Sequence, residues 1–211
     1  MGLTELVLIL DKSGSMGGLE DDTIGGYNAL LAKQREVEGL CLVTTVLFDH
    51  GYEVLHERLE LSHVQPLTRR EYQVGGSTAL LDAMGRTIQK MAAGQGEDDA
   101  RKVMCVIITD GQENSSREFS ARRVRALVEE RREKHGWEFI FLGANMDAIE
   151  TAARYGIEAD RAQSFHADPQ GISLNFAVMS ETVAAYRRTG KVEDEWKTSI
   201  AADYEQRRRG R

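Results

Sequence analysis

Two cysteines in 211 residues are too few for a disulfide framework. Cys41 and Cys105 each sit inside an apolar run, where a reduced thiol serves as a small buried hydrophobe. Long apolar runs are missing as well. Leu6-Val7-Leu8-Ile9-Leu10 is too short for a signal core or a membrane span, and Glu5 stands where a secretory leader would carry Lys or Arg. Leu6 also occupies the position at which a myristoylation signal wants Ser or Thr. A cytoplasmic protein is the simplest expectation. Excess positive charge is lacking too: the net charge of -7 disfavours nonspecific binding to nucleic acid or to an anionic membrane. The chain shows no internal repeat, no low-complexity linker and no G-x-x-x-x-G-K-[ST] phosphate loop.

What is present suits one well-buried domain, with 41% hydrophobic and 29% charged residues. Strand and helix patterns alternate. Strands are expected over Leu3–Leu10, Leu40–Phe48, Tyr52–His56, Lys102–Thr109, Glu138–Leu142 and Arg161–Phe165. Helices are expected over Asp22–Val37, Ala79–Met91, Ser120–His135, Ala148–Tyr155 and from Asp168-Pro169 to Arg188. The short turn Asp49-His50-Gly51 makes the third strand a hairpin partner, antiparallel at an edge, with Tyr52, Val54 and His56 on one face. Residues 62–72 carry little pattern, and 92–99 read as a flexible loop. The order predicts an α/β fold with one doubly wound, three-layer, Rossmann-like sheet, mostly parallel with one antiparallel edge strand. Residues 1–190 form that domain. Residues 191–211 are a helical, basic tail, with Trp196, Ile200 and Tyr204 at helical spacing ahead of Arg207-Arg208-Arg209. Docking of this tail on its own domain is the plainer reading, and a partner-binding helix the alternative.

The chemistry gathers at three places. Asp11-x-Ser13-x-Ser15 follows the first strand, Thr78 ends the turn Gly75-Gly76-Ser77-Thr78, and Asp110-Gly111 follows the fourth strand. All offer hard oxygen donors, which suit Mg²⁺, Mn²⁺ or Ca²⁺ rather than zinc or copper. In doubly wound sheets ligands bind beyond the carboxyl ends of the strands. A reversal of strand order between the first and fourth strands would bring Asp11 and Asp110 to one crevice. Taken singly, each residue has a plainer role: Asp11 and Ser13 in a turn, Thr78 as a helix cap.

Together, Asp11-x-Ser13-x-Ser15, Thr78 and Asp110-Gly111 resemble the metal-ion-dependent adhesion site of the von Willebrand factor A domain family. The resemblance runs from Leu3 to about Arg188, and Gly14 and Met16 also match many members. It implies a stand-alone cytosolic member of bacterial type. Ser13, Ser15 and, with ligand bound, Thr78 would supply hydroxyls directly to Mg²⁺, with Mn²⁺ or Ca²⁺ as alternatives. Asp11 and Asp110 would act mostly through bound water. Neutral direct ligands leave the ion electrophilic, so one exchangeable position would take a Glu or Asp carboxylate from a partner protein. The implied function is a non-catalytic interaction module with no nucleic-acid or membrane partner. Glu20, Asp21, Asp22 and Glu113 are expected as an acidic rim near the site.

The alternative is a Mg²⁺-dependent phosphotransfer enzyme or hydrolase on the same sheet. Against it, Asp11 lacks a second Asp two residues on, and His50, His56, His63, His135 and His166 are scattered. Nucleic-acid binding by Arg122, Arg123, Arg125, Arg131 and Arg132 meets the interspersed Glu129, Glu130 and Glu133, which suit a salt-bridged solvated helix face. Partner identity and oligomeric state are not legible in the sequence.

Overall fold

The structure, a computed structural model, describes residues 2–94 and 101–209. The loop expected over 92–99 therefore falls, from residue 95 on, outside the described residues. The elements in order are β1 (Thr4–Asp11), α1 (Glu20–Arg35), β2 (Cys41–Phe48), β3 (Tyr52–Glu60), α2 (Leu80–Ala93) and β4 (Lys102–Thr109). They continue with α3 (Ala121–His135), β5 (Glu138–Ala144), α4 (Ala148–Arg154), β6 (Ala162–Phe165), α5 (Pro169–Thr189) and α6 (Thr198–Arg209).

The strands form one six-stranded sheet in the order β3-β2-β1-β4-β5-β6. Every pairing is parallel except β2 with β3. β1 is buried throughout, and its alternation divides it between two layers. Leu6, Leu8 and Leu10 face the cluster built by Tyr27 and Leu30 of α1 with Phe176 and Met179 of α5. Val7 and Ile9 face Leu80 and Met84 of α2, Val124 and Val128 of α3, and Ala148 of α4. Glycine inside two helices reflects close approach. A Cβ on Gly26 would lie 2.3 Å from the Phe176 ring, and one on Gly85 would lie 2.2 Å from the Phe119 ring. Helix ends follow the expected caps: Asp168 accepts from the Gly171 amide at 2.8 Å ahead of Pro169, and Gly136 closes α3 at φ +63°.

One expectation needs correction. β3 continues past His56 to Glu60, and its register against β2 slips between Thr45 and Val46. The slip moves His56 off the face of Tyr52 and Val54. Its Nδ1 lies 3.3 Å from the Tyr27 hydroxyl of α1, whereas Tyr52 and Val54 pack on the α2 side. Arg58 follows at φ +45°, a conformation an extended strand does not use. The cysteines are the buried reduced thiols expected. Cys41 and Cys105 are free and buried on opposite faces of the sheet, with β1 between their strands, so a cross-strand disulfide is excluded.

The tail docks on its own domain. The Trp196 indole donates to the Asp160 carbonyl at 2.8 Å, and Lys197 Nζ donates to the carbonyls of Ala159 and Ala162 at 2.6 and 2.8 Å. α6 then follows β6 in the same direction and reaches the far end of that strand. There Tyr204 stacks on His166, and Arg207 pairs with Asp168 and Asp203 at 2.5 and 2.8 Å. Among the described residues no helix is long and apolar enough to cross a membrane.

Candidate metal centre

β1 pairs with β2 on one side and β4 on the other, so the chain leaves β1 and β4 at a point where strand order reverses. Asp11 ends β1 and Asp110 follows β4, and both are 1% exposed. The loop after β1 folds back at once. Asp11 Oδ1 accepts from the Ser13 amide at 2.7 Å, and Oδ2 accepts from the Thr109 hydroxyl at 2.5 Å. The turn role foreseen for Asp11 is thus realised, alongside its place in the cluster. The Tyr72 hydroxyl donates to the Asp11 carbonyl from the irregular segment before Thr78. Gly14 donates to the Gly76 carbonyl at 3.0 Å, and Gly75 donates to the Lys12 carbonyl at 2.9 Å. Gly76, at φ +75°, is overlain by His50, whose Nδ1 would lie 2.2 Å from any Cβ there.

The Thr78 loop is tied to the Asp110 loop. The Thr78 amide donates to Asn114 Oδ1 at 2.9 Å, and its carbonyl accepts from the Asn114 amide at 3.0 Å. The Asp82 carboxylate accepts from the Arg117, Glu118 and Phe119 amides at 2.8–2.9 Å, and these bonds help lower its pKa. Thr78 does not cap α2. Glu113 accepts from the Leu81 amide at 2.9 Å and the Ser116 hydroxyl accepts from Asp82 at 3.0 Å, so the Thr78 hydroxyl is left for the cluster.

All five expected residues come together. Ser13 Oγ and Ser15 Oγ lie 3.2 Å apart, and Ser15 donates to Asp110 Oδ1 at 2.6 Å. The position a Cβ would take on Gly111 lies 2.9 Å from Thr78 Oγ1, 3.2 Å from Ser15 Oγ and 3.7 Å from Ser13 Oγ. All three hydroxyls therefore lie close to the point that a side chain at position 111 would occupy. Asp110 Oδ2 is buried with no hydrogen-bond partner among the described residues.

Burial raises the pKa of Asp11 against the hydrogen bonds from Ser13 and Thr109. Burial also pushes Asp110 up to about 6, with the Ser15 hydrogen bond opposing and the charge of Asp11 adding to the rise.

The acidic rim is more neutralised than expected. Glu113 turns inward to accept from the Leu81, Ser115 and Ser116 amides. Asp21 is gripped by Arg69 through two bonds of 2.7 Å, and Glu20 accepts from the Gly18 amide at 2.8 Å. Sequence reasoning missed Thr109, Tyr72, Asp82 and Asn114, whose roles arise from contacts between distant segments. Thr109, directly before Asp110, carried the one local signal.

By sequence, no family model and no curated protein matches the chain. By structure, it matches the ArnB paralog VWA2 from Sulfolobus acidocaldarius at a TM-score of 0.58 and 17% identity, over 86% of this chain and 45% of that one. It matches the von Willebrand factor type A protein from Catenulispora acidiphila at 0.57 and 15%, over 87% and 43%. A mussel byssus protein, proximal thread matrix protein 1 with a zinc-occupied MIDAS motif, matches at 0.59 and 14%, over 87% and 48%. The fold is that of a von Willebrand factor A domain. The chain spans about half the length of these matched structures.

Within this von Willebrand factor A fold, the donors present suit a hard divalent cation. An ion beside Asp110 would satisfy the orphaned Oδ2 and relieve the crowding of two buried carboxylates. Among the described residues no group of three or more His, Cys, Asp or Glu side chains could hold a metal. Three of the five side chains that come together are hydroxyls.

Proposed function

We propose that the chain is a non-catalytic protein-interaction module that captures an acidic side chain of a partner protein through a divalent ion. Ser13, Ser15 and Thr78 would hold the ion by their hydroxyls, and Asp11 and Asp110 would fix its waters. Mg²⁺ is the preferred ion, with Mn²⁺ or Ca²⁺ able to replace it. When bound, the ion supplies an electrophilic position for an incoming carboxylate. The observation that carries this reading is that three neutral hydroxyls lie close together beside Gly111.

The chain's own residues do the positioning. Asp11 uses both oxygens to hold the Ser13 amide and Thr109, so it orients the loop. Asp110 orients Ser15 and keeps Oδ2 free. The network of Asp82, Glu113 and Asn114 holds Thr78 against the Asp110 loop before any ligand arrives. Of the histidines, His56 is engaged with Tyr27 and His166 with the Tyr204 carbonyl, and His50 overlies Gly76. Two buried free thiols are compatible with the reducing cytoplasm.

Calorimetric titration with Mg²⁺ and Mn²⁺ tests the site. Binding should be lost in Asp110→Ala and strongly weakened in Thr78→Ala. Unchanged affinity in both variants would place any bound metal elsewhere.

A further inference from the structure

α5 carries a partly exposed face on its second half. The helix starts at the carboxyl edge, behind β6, and ends at the amino edge, where the Tyr186 hydroxyl donates to the Val103 carbonyl at 3.1 Å. The segment ahead of α6 folds back beside it, pinned by the Trp196 indole on the Asp160 carbonyl. Between the two runs a groove of about 520 Å³.

Its floor is apolar. Ala177, Val178 and Ala185 line it from α5, and Trp196 lines it from the opposite bank. Thr182 joins them with its hydroxyl turned back onto the Val178 carbonyl at 2.8 Å, and Ser199 lies at the α6 end. The rim is acidic. Glu181 stands on α5, Glu193 and Glu195 stand on the opposite bank, and all three are exposed. Lys33 of α1 reaches Glu181 at 3.3 Å, whereas neither Glu193 nor Glu195 has an ion pair among the described residues. Among those residues no Lys or Arg lines the groove. Ala177, Glu181 and Ala185 follow at i, i+4 and i+8, one stripe about 12 Å long at 1.5 Å per residue. Its small ends let a second helix approach closely over about two of its own turns.

We infer that the groove receives an amphipathic helix of a partner protein, with large aliphatic side chains on the floor and Lys or Arg along both flanks. Charge decides the occupant. A cationic helix neutralises both banks, whereas an acidic helix, an anionic membrane or a second copy of this chain at net charge -7 brings like charge to them. The groove lies toward the amino edge of the sheet, and the hydroxyl cluster lies at the carboxyl edge. Binding here is therefore independent of the metal.

A display library of single-helix peptides, randomised along one face and selected on the full chain in chelator, provides the test. Selected peptides should combine large aliphatic residues at i, i+3 or i+4 with Lys or Arg on both flanks. A synthetic peptide of the selected sequence should bind the double variant Glu193→Lys, Glu195→Lys about tenfold more weakly, with a difference that shrinks in high salt. Ala177→Trp, which fills the groove from an exposed position on α5, should weaken binding at least as much. Matching melting temperatures of the variants and the parent verify that both fold. Addition of Mg²⁺ should leave the affinity unchanged. No enriched sequence, acidic or uncharged winners, or a peptide indifferent to both variants overturns the inference. Self-association of the chain that Ala177→Trp abolishes would seat a second copy in the groove and overturns it too. A peptide that Mg²⁺ displaces sits at the hydroxyl cluster and likewise overturns it.

Discussion

Asp110→Asn should stabilise the metal-free protein while abolishing its response to metal. In the free protein Asp110 is buried, its Oδ2 has no partner among the described residues, and its pKa stands at about 6 against an ordinary 3.8. Because the folded state holds this proton more tightly than the unfolded state, stability falls as pH rises from about 4 to 6. Above about 6 the full penalty is in place, at most about 3 kcal/mol. Asn carries no charge and keeps an oxygen for the Ser15 hydroxyl, but its amide N–H₂ meets the same empty surroundings. The net gain should therefore be about 1–2 kcal/mol at pH 7.5. Urea unfolding in chelator measures it. The parent should gain stability between pH 7.5 and 5 relative to the variant, and the advantage of the variant should shrink toward pH 5. Saturating Mg²⁺ should stabilise the parent by about 2.7 kcal/mol at a hundredfold excess over Kd, and the variant by nothing measurable. A variant less stable than the parent at pH 7.5, or a gap that does not narrow on acidification, would refute the reasoning.

Gly111→Ala should place a methyl group beside the three hydroxyls, 2.9 Å from Thr78 Oγ1. Mg²⁺ binding by calorimetry should vanish, and near-parental binding would show that the ion sits elsewhere. Tyr72→Phe removes the hydrogen bond to the Asp11 carbonyl and should destabilise the chain by about 1–2 kcal/mol in urea unfolding. It should also broaden the electron paramagnetic resonance lines of bound Mn²⁺, because the Ser13 loop loses its tie. Arg207→Ala releases α6 from Asp168 and Asp203 and should speed amide exchange in α6 well before global unfolding. Its effect on total stability should be about 1 kcal/mol.

The architecture was legible because its signals are local. The apolar run ending at Asp11 reads as a strand buried on both faces, and it is one. The turn Asp49-His50-Gly51 marks the hairpin, and the antiparallel edge follows from it. Asp168-Pro169 and Gly190 bracket α5 to within a residue. The errors come where a contact between distant segments decides. The register slip that sends His56 to Tyr27 is set by pairing with β2, and no residue within β3 announces it. Glu113 reads as a solvated acid because its partners, the Leu81 and Ser116 amides, belong to backbone. The five cluster residues were legible as a set through the resemblance that their motifs carry, since singly each has a plainer role in a turn or cap. The groove beside α5 was invisible, because its second bank, Glu193 to Trp196, follows the domain core in sequence and meets α5 only in the fold.

Neither border of the sheet is a regular open edge. On one side β3 carries a register slip, Arg58 in a left-handed conformation, and exposed Glu53, Glu57 and Glu60. On the other, α6 lies along β6 and takes up the Ala162 carbonyl through Lys197. Irregular, charged or covered borders resist strand addition. A partner therefore gains nothing by offering its backbone as a seventh strand, and copies of the chain should stay apart at concentrations where open sheets polymerise. Under the interaction-module reading proposed above, recognition would then fall to side chains on one rim, and single residues on a partner would decide whether it is held or ignored.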